Sequence, residues 1–191
     1  MKPFALARLL RRRLGRLIQD QRGVTAVEFA VLLPFMLTLY LGGVEASQGV
    51  AMDRKVTMTV RAVADLAAQT TSISNTDMTN ILNAASAVVA PYSATLLQVK
   101  VSSVTINAQG KATIVWSDAY NTSARPAGQS VTLPTALNVA NTTVIWGEVS
   151  YAYTPTIGYV LTGTFNLSDQ IYMRPRLSTC VTRVSSSGSV C

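Results

Sequence analysis

The first feature of the chain is a long apolar run near the N-terminus. Residues Val24 to Val44 form a stretch of 21 residues in which Glu28 is the only charged side chain. A helix of this length rises about 31 Å, close to the thickness of the hydrocarbon core of a bilayer. The run therefore predicts a transmembrane helix over 24–44. We expect a kink at Pro34, because proline removes a helical hydrogen bond.

The pattern changes after this run, because apolar residues then recur at helical spacing. From Glu45 to about Gln69 they fall on one side of a helix, and charged residues fall on the other. The predicted buried stripe comprises Met52, Val56, Val60, Val63, Leu66 and Ala67. We expect one long helix that leaves the membrane and docks on a folded domain. A short helix should follow over 78–89, with Thr76 as its N-cap and Pro91 beyond its end.

The rest of the chain alternates apolar and polar residues with the period of a β-strand. Residues 97–117 predict a hairpin with a bulge at Ser102-Ser103. Val144–Tyr153 predicts a strand, and Phe165–Met173 predicts its antiparallel partner. The segment 119–142 is rich in Asn, Thr, Ser, Ala and Pro and predicts a long loop. A sheet of three or four strands needs a cover on one face, so the expected fold class is α+β, with the long helix packed on a small antiparallel sheet.

The positive charge of the chain is concentrated before the apolar run. The formal charge is +7, and six of these charges arise before Gly23, where seven basic residues stand against one acidic residue. A nucleic-acid-binding domain would spread its basic residues over a folded face, so no nucleic acid partner is expected. Basic residues before an apolar span hold its N-terminus in the cytoplasm and send the following chain outward.

These patterns divide the chain into four segments. They are a basic leader over 1–23, a transmembrane helix over 24–44, an amphipathic extension over 45–70 and an exported α+β domain over 71–191. An exported domain can form disulfides, so Cys180 and Cys191 are expected to pair and close a loop through the flexible tract between them. Two free thiols, or a bond from one of them to a partner, are the alternatives.

The composition offers little for catalysis. The chain has no histidine and two cysteines, which excludes histidine-based acid–base chemistry and the common zinc sites. Neither a GxSxG elbow nor an SxxK motif stands out among the serines. We therefore expect no enzyme activity, no catalytic residues, no metal site and no cofactor.

Three kinds of export segment begin with basic residues and an apolar run. A cleaved secretory signal would end at a site such as Val44-Glu45-Ala46, but its apolar run is only about 7–15 residues long. A plain signal anchor gives no reason for Glu28, because a carboxylate in the membrane is costly unless it is paired or near the interface. The third kind rests on residues 22–29, RGVTAVEF, which resemble the cleavage site of type IV prepilin-like proteins.

In that group a membrane aspartyl peptidase cuts after a glycine on the cytoplasmic side, and the fifth residue of the mature chain is Glu. The resemblance implies cleavage between Gly23 and Val24, with Glu28 in fifth place. A carboxylate one helical turn away can neutralise the new ammonium group of Val24, or the same group of a neighbouring subunit. Gly23 has no side chain, so an extended backbone can enter the peptidase there.

The longer segment VTAVEFAVLLPFMLTLYLGGVEAS is similar to the TadE-like family of the tight-adherence (Flp) pilus machinery. The matching residues are Ala26, Val27, Glu28, Phe29, Ala30, Leu33, Pro34, Gly42 and Glu45. The resemblance implies a pilin-like fold and a pseudopilin, which is processed like a pilin but acts as a minor assembly component. It also implies a single-pass protein of the bacterial inner membrane, with a cytoplasmic N-terminus and a periplasmic C-terminal domain. The implied partners are the prepilin peptidase, other pilins or pseudopilins of the same system, the inner-membrane assembly platform and membrane lipid.

Two other functions remain open at this point. A signal-anchored envelope module for binding or adhesion would have the same span without any role in a pilus. An exported enzyme is the third hypothesis, and the composition argues against it. The sequence leaves open whether a pseudopilin of this kind enters the filament or stays in the assembly machinery.

Overall fold

The structure is a computed structural model that describes residues 22–186 and 188–191. The leader predicted over 1–23 lies outside the described residues except for its last two positions. The first helix, α1, extends without interruption over Arg22–Ala68, a length of 47 residues. The apolar run and the amphipathic segment therefore belong to one helix, which confirms the expected long helix.

Pro34 lies inside α1 without ending it. Proline has no amide hydrogen, so the carbonyl of Ala30 lacks its usual helical donor. One turn later, the hydroxyl of Thr38 donates a hydrogen bond of 2.8 Å to the carbonyl of Pro34. The helix continues past the proline, and the kink at Pro34 stays a prediction.

The two halves of α1 have different surroundings. Residues 23–40 are exposed throughout, and no part of their apolar window is buried by the rest of the described chain. The outer half packs on the folded domain through Met52, Val56, Val60, Val63, Ala64, Ala67 and Ala68. The expectation for Leu66 is wrong, because this side chain is 38% exposed. The sheet instead covers the face that carries Ala64 and Ala67.

The main sheet has five antiparallel strands in the order β4-β3-β2-β5-β6. Their bounds are β2 Leu97–Ile106, β3 Ala112–Tyr120, β4 Ser130–Val131, β5 Thr142–Tyr153 and β6 Phe165–Met173. The predicted hairpin and the pairing of the last two strands are confirmed. The register shift between β2 and β3 falls next to the predicted bulge, between Ser103 and Val104. Three or four strands were expected, and the sheet has five. The additional strand is the two-residue β4, which lies within the predicted loop.

Strands β5 and β6 supply the surface on which α1 lies, and β5 contributes its fully buried side chains. Val149, Tyr151 and Tyr153 are buried on one face, as the alternation predicted. Gly147 lies on the same face, where a Cβ would come within 3.0 Å of the Cβ of Ala64. Glycine suits this position because a side chain there would make an unusually tight contact with the helix unless helix and strand moved slightly apart. This contact sets the distance between α1 and the sheet.

The opposite face of the sheet is covered only at its far end. There Leu133, from the loop predicted over 119–142, packs with Val104, Ile114 and Trp146 in a second apolar cluster. The loop therefore serves as part of the core rather than as a free connection.

The second helix, α2, spans Asn75–Val89, close to the prediction. Its N-cap is Ser74, so the assignment of Thr76 is wrong. The Ser74 hydroxyl accepts from the amide of Asp77 at 3.2 Å, and the Asp77 carboxylate accepts from the amide of Ser74 at 3.0 Å. This capping box satisfies two helix-end donors at once, and the hydrogen bonds from Ser74 lower the pKa of Asp77. At the other end, Lys55 of α1 donates to the carbonyls of Val88 and Ala90 at 3.1 and 2.6 Å.

A second, three-stranded sheet was not predicted. It consists of β1 Ser72–Ile73, β7 Thr182–Ser185 and β8 Gly188–Val190, and β1 pairs with β7 in parallel. The predicted disulfide between Cys180 and Cys191 is present and encloses β7 and β8. Arg183 joins the two sheets, because its guanidinium donates to both carboxylate oxygens of Asp118 at 2.8 and 3.1 Å and to the carbonyl of Ile73 at 3.2 Å.

Replacing Gly147 should separate α1 from β5. Gly147→Val places a branched side chain against Ala64 and Val60, which cannot move without displacing the helix. Overpacking of this kind costs about 1–3 kcal/mol of unfolding free energy. Chemical denaturation in detergent measures the loss. Ala152→Val, on the opposite face of the same strand, is the control and should stay near wild type; equal stability of the two variants would contradict the close packing.

Candidate functional site

The predicted cleavage site lies where the described part of α1 begins. Gly23 is helical, and a Cβ there would meet no described atom within 4 Å. Val24 is 53% exposed. The peptide bond between Gly23 and Val24 is thus accessible, but it is helical, so an extended cleavage geometry requires this turn to unwind.

Glu28 lies one turn further along the same exposed surface. It lies four positions after Val24, which is about 6 Å along the helix axis. Within residues 22–186 and 188–191, its carboxylate forms no hydrogen bond or ion pair. The structure thus leaves Glu28 available to a group outside the described chain, and its predicted role stays a prediction.

The most elaborate polar contact on α1 involves Glu45, at the end of the apolar run. Its side chain is fully buried. One carboxylate oxygen accepts from the amide of Tyr159 at 2.8 Å. The other accepts from the amides of Val160 and Leu161 at 3.1 and 2.7 Å. We call this arrangement, the Glu45 carboxylate with the amides of residues 159–161, the Glu45 clasp.

The clasp depends on the shape of the loop between β5 and β6, residues 154–164. Gly158 has φ of +64°, in the left-handed region that favours glycine. A residue of this conformation next to ordinary residues turns successive amides toward one point, which forms a site for an anion. Here the anion is a side chain of the same protein rather than a ligand.

Two glycines of α1 lie on either side of the contact, and Gly42 is the one that makes room for it. Gly42, one turn before Glu45, lies under Val160, and a Cβ there would come within 3.3 Å of a Val160 methyl group. Gly49, one turn after Glu45, faces Tyr153 at the end of β5, where the corresponding distance is 3.8 Å. The loop therefore rests directly on the helix backbone at the turn of Gly42.

The electrostatics of the clasp keep Glu45 ionised. Burial alone would favour the neutral acid, but the three amide donors, led by Leu161, lower the pKa of Glu45 below its ordinary value. A buried charge without such partners would be strongly unfavourable. The clasp therefore fixes the loop to α1 at the point where the apolar run ends.

No role was predicted for the Glu45 side chain beyond its place in the matching motif. Its partners are backbone amides, which leave no pattern of side chains to detect. The available signals were Gly42 and Glu45 one turn apart on α1 and a glycine in the distant loop. None of these indicates a pairing across more than a hundred residues.

Together these features define a class of protein: an α+β head on one long N-terminal helix that is apolar enough to cross a membrane. Residues 23–65 match the family model of the TadE-like proteins. This confirms the resemblance predicted from the motif, and over this part of α1 the chain is similar to that family. The match covers less than a quarter of the chain, and it includes Glu28, Gly42 and Glu45. No curated protein and no solved structure matches the chain.

The described residues offer no evident metal centre. Within them, no group of three or more His, Cys, Asp or Glu side chains could hold a metal ion. The candidate site is therefore the surface of α1 itself, from the predicted cleavage site to the Glu45 clasp.

Removing the carboxylate of Glu45 should release the loop. Glu45→Ala leaves the amides of Tyr159, Val160 and Leu161 without their acceptor, so hydrogen exchange at these three amides should become faster. Mass-spectrometric hydrogen exchange of the full chain in detergent measures the rates. Asp53→Ala removes an exposed acid from the same helix and should leave exchange in the loop unchanged. Unaltered protection in Glu45→Ala would show that something else holds the loop.

Proposed function

We propose that the protein is a membrane-anchored pseudopilin that takes part in the assembly of Tad-type (Flp) pili. The observation that supports this most is that the TadE-like match, over residues 23–65, includes the whole exposed, apolar half of α1. Pilins assemble through helices of this kind, which lie in the membrane before they pack with one another. An apolar helix without a partner in its own chain is suited to both environments.

In this proposal, prepilin peptidase cuts between Gly23 and Val24 and removes the basic leader. The cut creates an ammonium group on Val24 at the edge of the membrane. Glu28 neutralises that group, or the same group on a neighbouring subunit, and its lack of any described partner supports such a role. The head lies in the periplasm, where the Cys180–Cys191 disulfide is stable.

The proposed partners act on different parts of the molecule. Other pilins or pseudopilins of the system pack against the apolar half of α1, and the inner-membrane platform receives the same helix during assembly. The head then caps, initiates or guides the filament. An envelope module without a pilus role would have a similar span, but it would need neither a cut after Gly23 nor a carboxylate at position 28.

Gly23→Val should block processing. A branched side chain does not suit the extended backbone that a peptidase binds, whereas the fold tolerates it because no described atom lies within 4 Å of the new Cβ. The mass of the protein from membranes reports the cut, and the uncut chain should retain residues 1–23. Gly43→Val is the matched control, since its site in α1 is equally open, and it should be processed normally. Normal cleavage of Gly23→Val would contradict the assigned site.

Glu28→Ala should leave insertion and processing intact but impair pilus assembly, because the ammonium group then has no counter-charge. Sheared surface pili and membrane-bound protein are measured from the same cells. Glu28→Asp keeps the charge and should assemble better than Glu28→Ala. Pili at the wild-type level in Glu28→Ala cells would rule out the charge-pairing role.

A further inference from the structure

The loop held by the Glu45 clasp exposes an unusual set of side chains. From residue 154 to residue 168 the chain has no charged side chain. Within this segment Ile157, Tyr159 and Val160 are 47%, 64% and 44% exposed. Apolar side chains grouped in this way on a surface mark a contact with another apolar phase or partner.

The clasp fixes the level of this loop along α1. Val160 lies over Gly42, which belongs to the apolar run, and Glu45 is the first residue after the run. The side chains of α1 just before this level are also exposed and apolar, including Tyr40 at 68%. The exposed apolar surface of the helix therefore extends onto the loop at the outer end of the apolar run.

The chemistry of the loop suits the boundary between headgroups and acyl chains. Tyrosine favours this region because its ring is apolar and its hydroxyl is polar. Backbone amides there lose water and need an acceptor, which Glu45 supplies to three of them. The same three bonds satisfy a carboxylate that would otherwise be costly so near the hydrocarbon.

We propose that the loop over 156–163 lies in the interface of the bilayer that α1 spans, with Ile157, Tyr159 and Val160 in contact with lipid. The head then touches the membrane surface and does not stand away from it on a free stalk. This inference rests on the membrane span proposed above, and the experiment separates the two. Lipid is the proposed contact because the exposed apolar surface of the loop is continuous with that of the span.

The test uses the full chain, one copy in each lipid nanodisc, with lipids brominated close to the headgroup as the quencher. Tyr159→Trp places a reporter on the loop, and wild type supplies the background of Trp116 and Trp146. The added tryptophan should lose much of its emission when brominated lipid replaces ordinary lipid. Tyr159 is exposed, so the substitution does not disturb the core.

Two further variants serve as the positive and the negative control for quenching. Tyr40→Trp reports the span and should be quenched; if it is not, the span fails and the loop inference fails with it. Val139→Trp, an exposed apolar position at the far end of the sheet, should not be quenched. If brominated lipid quenches the tryptophan of Tyr40→Trp but not that of Tyr159→Trp, the span stands and the contact between loop and lipid is wrong. The Tyr159→Trp measurement is repeated in nanodiscs that hold several copies. If brominated lipid does not quench this tryptophan with one copy, and its emission shifts only with several copies, the loop contacts a second copy instead of lipid.

Discussion

The packing of the outer half of α1 on strands β5 and β6 joins the long helix to the head. Gly147 permits the close approach to β5, because a Cβ there would lie only 3.0 Å from the Cβ of Ala64. Since α1 is a single helix over Arg22–Ala68, the packing of its outer half also sets the direction of its exposed half. The head is thus oriented relative to the apolar segment by packing and not by a flexible linker.

The Glu45 clasp adds a second point of attachment. Glu45 and Ala64 are separated by 19 positions, which is about 28 Å along a helix. Two attachments so far apart resist a change of tilt between helix and sheet better than either alone. The same geometry brings the loop over 154–164 to the end of the apolar run, so a single buried carboxylate links the fold of the head to its position at a membrane.

The sequence predicted the parts of the fold that rest on periodicity. The long helix, the hairpin and the pairing of β5 with β6 all repeat a pattern over nine or more residues. The second sheet escaped prediction because its strands are two to four residues long and β1 pairs with a strand more than a hundred residues away. At the start of α2 both Ser74 and Thr76 are suitable caps, and the deciding signal was Asp77, three residues after Ser74.

The residues of the candidate site also differ in how far the sequence could predict them. Gly23, Val24 and Glu28 could be named from local spacing, and their roles remain predictions because each depends on a partner outside the chain. The role of Glu45 could not be named, because a carboxylate bound by backbone amides leaves no trace in the pattern of side chains. The family motif nevertheless contained Gly42 and Glu45, and the structure now supplies a physical reason for both positions.

The N-terminus of the mature protein distinguishes a processed pseudopilin from an uncut membrane anchor and from a secreted domain. Intact mass measurement of the wild-type chain, isolated from membranes of cells that contain the prepilin peptidase, gives this N-terminus without any substitution. Cleavage by prepilin peptidase predicts a chain that begins at Val24, with Glu28 as its fifth residue. A chain that retains residues 1–23 would contradict processing as a pseudopilin, and one that begins after Ala46 would show that the apolar run is a removed signal and not an anchor.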